Sequence, residues 1–246
     1  MTIVHAASGT NVHEIAAGIY RISVPVPPTD MPGGFTFNQF LVVDDEPLLF
    51  HTGPKKLFGL VKEAVKHVLG DPAKLRYVGF SHCEADECGS LNDWLELAPR
   101  AEAVCSQVAA MVQVNDFAVR PAHPLAEGEV LSLGTKRVRW LDAPHLPHNW
   151  ECGYLFESTT RTLLCGDLFT HGGADGAALT DTEVLGPSEA FRKMMPGGSV
   201  AIEQGTRALL DKLASTEPTT LAIMHGSSFR GNGASLLRGL ADALGA

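Results

Sequence analysis

The sequence predicts an α+β fold of the αββα kind, with two mixed β-sheets packed face to face and helices on both outer sides. Three observations predict it. Short runs rich in β-branched, aromatic and aliphatic residues recur along the chain, and amphipathic helical segments interrupt them in each half instead of gathering at one end. The 25 Gly and 15 Pro punctuate these runs without a repeat or a low-complexity linker, so residues 1–246 are expected to fold as a single domain.

The elements follow from local patterning. Residues 13–24 and 35–43 have strand composition, and the stretch 25–34 (PVPPTDMPGG) is a loop because its prolines remove ladder donors. A short buried strand at 47–50 ends at His51-Thr52-Gly53-Pro54. Residues 55–69 place apolar groups at 57, 60, 61, 64, 65, 68 and 69, a helical period that Gly70-Asp71-Pro72 stops. A strand at 75–80 runs into a polar turn at 81–89 and a helix at 90–98. After a short strand at 101–105, residues 127–141 read as a hairpin turning at Gly134. Strands at 152–157 and 162–166 flank a Ser-Thr-Thr-Arg turn. The loop at 171–178 and Pro-Gly-Gly at 196–198 bracket a segment able to sit over a site. A helix at 200–214, a strand at 221–224 and a helix at 233–245 complete the reading.

Composition excludes several classes of function. A net charge of −9 with no basic block lacks the footprint of a nucleic-acid binder and disfavours docking on an anionic membrane. No run approaches the roughly 18 consecutive apolar residues of a membrane-spanning helix. The N-terminus has no charged region followed by an apolar stretch, so no secretory signal is read there. An odd count of five cysteines (Cys83, Cys88, Cys105, Cys152 and Cys165) with no export signal suits a reducing cytoplasm better than a disulfide framework, and the lack of a CxxC pair argues against a Cys-ligated structural zinc.

Four strand ends carry groups suited to metal. They are Ser81-His82-Cys83-Glu84-Ala85-Asp86-Glu87, Asp142-Ala-Pro-His145-Leu-Pro-His148, Asp167, and His225-Gly226. Taken singly each has a plain structural reading. A lone His is usually a hydrogen-bonded core or surface residue, Asp86 and Glu87 suit the start of the next helix, and Asp167 suits a turn. Taken together, imidazoles and carboxylates released at one end of a sandwich point to a metal site. His82-x-Glu84-x-Asp86 strengthens this reading by setting three ligand types on alternate residues of one loop.

These motifs, with Cys165-Gly166-Asp167, Met224-His225-Gly226, Asn38-x-Phe40-Leu41-Val42 and Leu49-Phe50-His51-Thr52-Gly53, resemble the metallo-β-lactamase superfamily over residues 13–228. Glu84 stands where most of its hydrolases carry His, and this resembles the flavodiiron proteins and the related oxygen-binding di-iron (ODP-type) branch. The resemblance implies two metal ions. His82, Glu84 and His145 would hold one, Asp86 and His225 the other, and Asp167 would bridge them. Glu87 departs from the flavodiiron pattern, which has His there; it either ligates the second metal or turns away to cap the following helix. The His-x-Pro alignment selects His145 as ligand and leaves His148 as a proton donor beside the open position. His51 replaces an Asp that orients a ligand in most members, and His171 is a candidate for lining the pocket. His5, His13, His67 and His123 fit no motif.

Carboxylates harden the site and favour iron or manganese over zinc. The resemblance therefore implies a di-iron protein that binds, senses or reduces O2 or NO. No phosphate-binding loop for FMN is read, and the chain ends at Ala246, too soon for a flavodoxin-like domain, so electrons are expected from an external redox partner. The competing reading is a metal-dependent hydrolase of an ester, thioester, lactone or phosphodiester. There Asp86 would orient the nucleophile, His225 or His148 would assist the leaving group, and Arg230, Arg192 or Lys193 would hold an anionic substrate. Oligomeric state is left open.

Overall fold

A computed structural model describes residues 1–195, 200 and 202–246. The first sheet holds eight strands in sequence order: β1 (Thr2–His5), β2 (Thr10–Ala16), β3 (Ile19–Val26), β4 (Phe35–Val42), β5 (Leu48–Phe50), β6 (Tyr77–Gly79), β7 (Glu102–Ser106) and β8 (His123–Leu125). Its first five strands pair antiparallel, and β5 to β8 pair parallel. The second sheet is built from β9 (Val130–Ser132), β10 (Arg137–Asp142), β11 (Gly153–Glu157), β12 (Thr162–Leu164), β13 (Leu179–Thr180), β14 (Thr220–Ala222) and β15 (Ser228–Arg230). Their spatial order is β13-β15-β14-β12-β11-β10-β9.

The period-2 alternation of strands sorts side chains into three cores. Phe40, Val42, Leu48, Phe50, Leu155, Leu164 and Trp140 point between the sheets. Their neighbours Leu41, Leu49 and Val78 face outward and pack under α1 (Phe58–Leu69) and α3 (Leu91–Leu97) through Val61, Val65, Trp94 and Leu95. On the far side, Phe156, Leu163 and Leu221 pack under α7 (Thr206–Ala214) and α8 (Gly233–Leu244) through Leu210, Leu213, Leu237 and Leu240. Each such side chain, fully buried, contributes about 1.5–3 kcal/mol. Four layers, helix–sheet–sheet–helix, result, which is the αββα arrangement the sequence predicts. No helix among the described residues is long and apolar enough to cross a membrane.

Several local expectations change. The run 13–24 is not one strand: it breaks at Ala17-Gly18 into the β2–β3 hairpin, and Gly18 takes the positive φ of 69° that this turn requires. The loop after β6 is not extended throughout, because Ala85–Cys88 closes a helical turn, α2. Residues 107–117, unassigned from sequence, form a helical stretch: α4 (Gln107–Ala109), a π-helical segment (Ala110–Val114) and α5 (Asn115–Phe117). A further helix, α6 (Leu185–Met194), lies in the segment expected over the site. The helix expected from residue 200 begins at Thr206. The expectation for Pro-Gly-Gly at 196–198 falls outside the described residues.

Topology sets the direction of the site. In the first sheet β5 and β6 run parallel, so His51 and Ser81-His82 emerge at one end. In the second, β10 and β12 are both antiparallel to β11 and hence run the same way, and β12 is parallel to β14. The loop carrying His145 and His148, Asp167 and His225 therefore all leave at a common end. Gly153 N–H donates to Ser81 O at 2.9 Å, and Asn38 N–H to Met224 O at 3.0 Å, which ties the two sheets at that end.

Gly153 is a demanding position in this packing. A Cβ there would lie 2.2 Å from Cζ2 of the buried Trp140. Gly153→Ala is expected to lower unfolding free energy by about 1–3 kcal/mol through overpacking, measured as a shift in the urea midpoint at unchanged slope.

Candidate metal centre

Two groups of ligand atoms lie at the common strand end. One comprises His82, Glu84, His148 and Asp167; the other comprises Asp86, Glu87 and His225. Within each group the atoms lie within 4.8 Å of one another. Ligand atoms about 2.1 Å from a shared ion sit about 3 Å apart at right angles and about 4.2 Å apart when opposite. The observed separations fall in this range.

The first group forms as follows. His82 follows β6 and is fully buried. Glu84 sits in extended conformation at the N-terminus of α2. His148 Nε2 lies 3.0 Å from His82 Nε2, 2.9 Å from Glu84 Oε1 and 3.9 Å from Asp167 Oδ2, and His82 Nε2 is 3.7 Å from the same Asp167 oxygen. The second group is held from α2 and the β14 end. His225 Nε2 is 3.3 Å from Asp86 Oδ2 and 3.2 Å from Asp167 Oδ1. Asp167 thus turns one carboxylate oxygen toward each group.

His148 stands among the converging residues, and His145 does not. The loop is anchored by Leu146, which is fully buried and whose carbonyl accepts from Tyr154 Oη and Cys152 Sγ. His145 precedes that anchor with a left-handed φ of 62°. Its side chain is 46% exposed and lies 3.8 Å from Glu203, an exposed pairing of small energetic weight. Burying Leu146 leaves His145 outside and brings His148 in.

Glu87 points inward. It is fully buried, and neither carboxylate oxygen has a hydrogen-bond partner. Only its backbone carbonyl serves the neighbouring loop, accepting from Thr52 N–H at 2.7 Å. His171 lies beside the turn that carries His225. Its Nδ1 donates to Phe169 O at 2.8 Å and its Nε2 accepts from Ser227 N–H at 2.9 Å, so both nitrogens brace the turn after His225. A Cβ on Gly226 would lie 2.4 Å from that ring.

His225 is oriented by residues that the motifs did not single out. Its Nδ1 donates to Thr36 O at 2.8 Å, which leaves the Nε2 lone pair for the site. Phe35 stacks on the imidazole at 4.3 Å between centroids, and Phe37 meets it edge-on at 5.6 Å. From β3 the buried Arg21 donates to Gly226 O at 3.0 Å, and from β4 Asn38 donates to Gly226 O and Ile223 O. Asn38 alone had a sequence signal, as part of the Asn38-x-Phe40 element. On the other flank His51 Nε2 lies 3.1 Å from Ser81 Oγ, which lies 2.9 Å from His82 Nδ1.

The electrostatics are those of an excess of negative charge. Burial, with Asp167 and Asp86 nearby, pushes the Glu87 carboxyl well above the usual carboxylate range. Burial alone would depress His225, but Asp167 and Asp86 outweigh it and raise the imidazole to about 10. His148 and His82 hold Glu84 at about 2. Burial lowers His51 to about 3, so that imidazole is neutral. Four carboxylates and three imidazoles on one spot, with orphaned oxygens on Glu87 and Asp167, fit a pair of divalent cations.

The chain is similar to several known proteins. Rubredoxin-oxygen oxidoreductase of Megalodesulfovibrio gigas is 26% identical over 154 residues, covering 61% of this chain and 37% of that protein. Nitric oxide reductase of Moorella thermoacetica is 29% identical over 144 residues, covering 55% and 34%. The chain spans about a third of the length of the curated relatives it matches. The metal-soaked Flv1 flavodiiron core of Synechocystis superimposes with a TM-score of 0.77 at 19% identity, over 96% of this chain and 61% of that one, a likeness of fold. The family model described as ODP family beta lactamase matches residues 35–226, and the chain belongs to that family.

Proposed function

We propose that this chain holds two iron ions and binds or reduces dioxygen or nitric oxide with electrons supplied by an external redox partner. The observation that carries the reading is the orientation of Asp167, whose Oδ2 faces His82 and His148 while Oδ1 faces His225. One ion would be held by His82, Glu84, His148 and Asp167 Oδ2. The other would be held by Asp86, Glu87, His225 and Asp167 Oδ1. The carboxylate-rich donor set favours iron or manganese over zinc. Iron held there would supply one-electron chemistry and an open position for a diatomic ligand. The named activities of the oxygen and nitric oxide reductases among the relatives support the same choice of substrate.

The protein's own residues do the positioning. Thr36 fixes which nitrogen of His225 faces inward, and the Phe35 and Phe37 rings shield that imidazole on two sides. Apolar walls of this kind admit small uncharged gases while raising the cost of leaving a charge unpaired. Two of the three cationic groups that the hydrolytic alternative would draw on are engaged elsewhere. Arg230 donates to Ile15 O at 2.7 Å, and Arg192 is paired with Glu189 at 2.7 Å. A reducing cytoplasmic setting fits the reading, because it keeps the five free cysteines as thiols.

Protein reconstituted anaerobically with ferrous iron is expected to retain two irons per chain, and to consume O2 or NO in an electrode cell when given reduced viologen. Retention of zinc instead of iron, with no gas consumption by the iron-treated protein, would overturn the reading. Asp167→Ala is expected to lose at least one metal ion, and His148→Ala to lose the ion of the first group, whereas His145→Ala and His123→Ala retain both. His123 serves as control because it pairs with Glu102 at the far edge of the first sheet. Metal analysis after desalting checks all four, and loss from His145→Ala with retention in His148→Ala would reverse the ligand assignment.

A further inference from the structure

Glu87 carries more acceptor capacity than the protein around it uses. Its side chain leaves the short helix α2 fully buried, and neither carboxylate oxygen has a hydrogen-bond partner. The backbone holds it in this place, because its carbonyl accepts from Thr52 N–H at 2.7 Å. Two bare oxygens on a buried carboxylate call for positive charge at both of them.

The carboxylate stands within reach of both metal positions. One of its oxygens lies within 4.8 Å of ligand atoms of Asp86 and His225, the second group. Its Oε2 also lies 3.9 Å from Nε2 of His82, which belongs to the first group. To that same nitrogen Glu84 Oε2 stands at 3.8 Å and Asp167 Oδ2 at 3.7 Å. Donors that share one ion sit about 3–4.2 Å apart, so Glu87 has the same geometric claim on the ion at His82 as Glu84 and Asp167 have. A single bond to the second ion alone would leave one of its buried oxygens bare.

We propose that Glu87 is a second bridging carboxylate, spanning the two ions beside Asp167. This rests on the two-metal reading above and adds to it a residue shared between the ions. Charge favours the arrangement. Glu84, Asp86, Glu87 and Asp167 together carry the negative charge that two divalent ions cancel. Two bridges set half of that charge between the cations, where their mutual repulsion is strongest. An imidazole at this place offers the site one lone pair and serves one ion only. The departure from the flavodiiron pattern at residue 87 therefore changes how the ions are held together, and not only the hardness of one of them.

The test isolates each position, with manganese(II) as the probe. Asp86→Ala with His225→Ala empties the second position, and Glu84→Ala with His148→Ala empties the first. Glu87→Gln, which keeps the shape and gives up the charge, is then added to each background. Binding is followed by loss of the electron paramagnetic resonance signal of the free ion. Glu87→Gln is expected to weaken the remaining ion in both backgrounds, by at least the roughly 10–100-fold that loss of an outer-shell partner costs. Weakening in one background alone would make Glu87 a terminal ligand and overturn the proposal. No weakening in either, as for a protonated Glu87 outside the ligand set, would overturn it too.

A second measurement uses the intact chain and decides the matter should these backgrounds fail to fold. In crystals of the wild type loaded with manganese, the ions are located by anomalous scattering. Glu87 oxygen at bonding distance from each ion, about 2.0–2.2 Å, is the expected result. Contact with one ion or with neither would overturn the bridge while leaving the two-metal reading intact. A wild type that takes up neither manganese nor iron would overturn both.

Discussion

The arrangement depends on one constraint: four carboxylates cannot share a buried spot without positive charge among them. Glu84, Asp86, Glu87 and Asp167 converge from the two sheets, and three imidazoles stand between them. Without cations the strain appears as displaced proton affinities, with Glu87 driven upward by burial and its acidic neighbours and His225 raised to about 10 by Asp167 and Asp86 against its burial. The fold bears this cost by holding several of these groups from behind. Leu146 anchors the His148 loop, Thr36 holds His225, and Thr52 pins the backbone of α2 beneath Glu87. Such over-determined support is what a preorganised centre requires.

Much of the fold was legible because strand alternation and helical periodicity both report on which side faces a core. β4, β5 and β11 place alternate residues in different cores, and the apolar stripe of α1 faces the first sheet. The failures have physical causes. The β2–β3 hairpin hid inside an apolar run because Ala17-Gly18 is a weak turn signal. α6 was missed because Gly186 and Pro187 sit in its first turn, where Pro is tolerated but reads as a breaker. α2 was missed because a helix this short has no period to read.

The site was legible in its chemistry and not in its orientation. Residue types and spacing alone group His82, Glu84, Asp86, Asp167 and His225 as candidate ligands. They did not distinguish His145 from His148, since that choice follows from which neighbour, Leu146, enters the core. Nor did they foresee that His171 spends both nitrogens on backbone groups of its own and a neighbouring turn. The support of the His225 turn by Arg21 and Thr36 comes from strands 205 and 189 residues away in sequence, a distance over which no local pattern carries information.

The division of donors between the sheets has a mechanical meaning. His82, Glu84, Asp86 and Glu87 belong to the segment that follows β6, while His148, Asp167 and His225 leave the other sheet. Ions seated among them would act as rivets through the mouth of the sandwich, where the apolar interior is thinnest. By linkage, each would deepen the folded state's free-energy well in proportion to the logarithm of its own free concentration. Starvation for metal would then loosen the very end of the molecule at which these donors gather, and leave the opposite end, closed by Val42, Leu48 and Val138, as the last part to come apart.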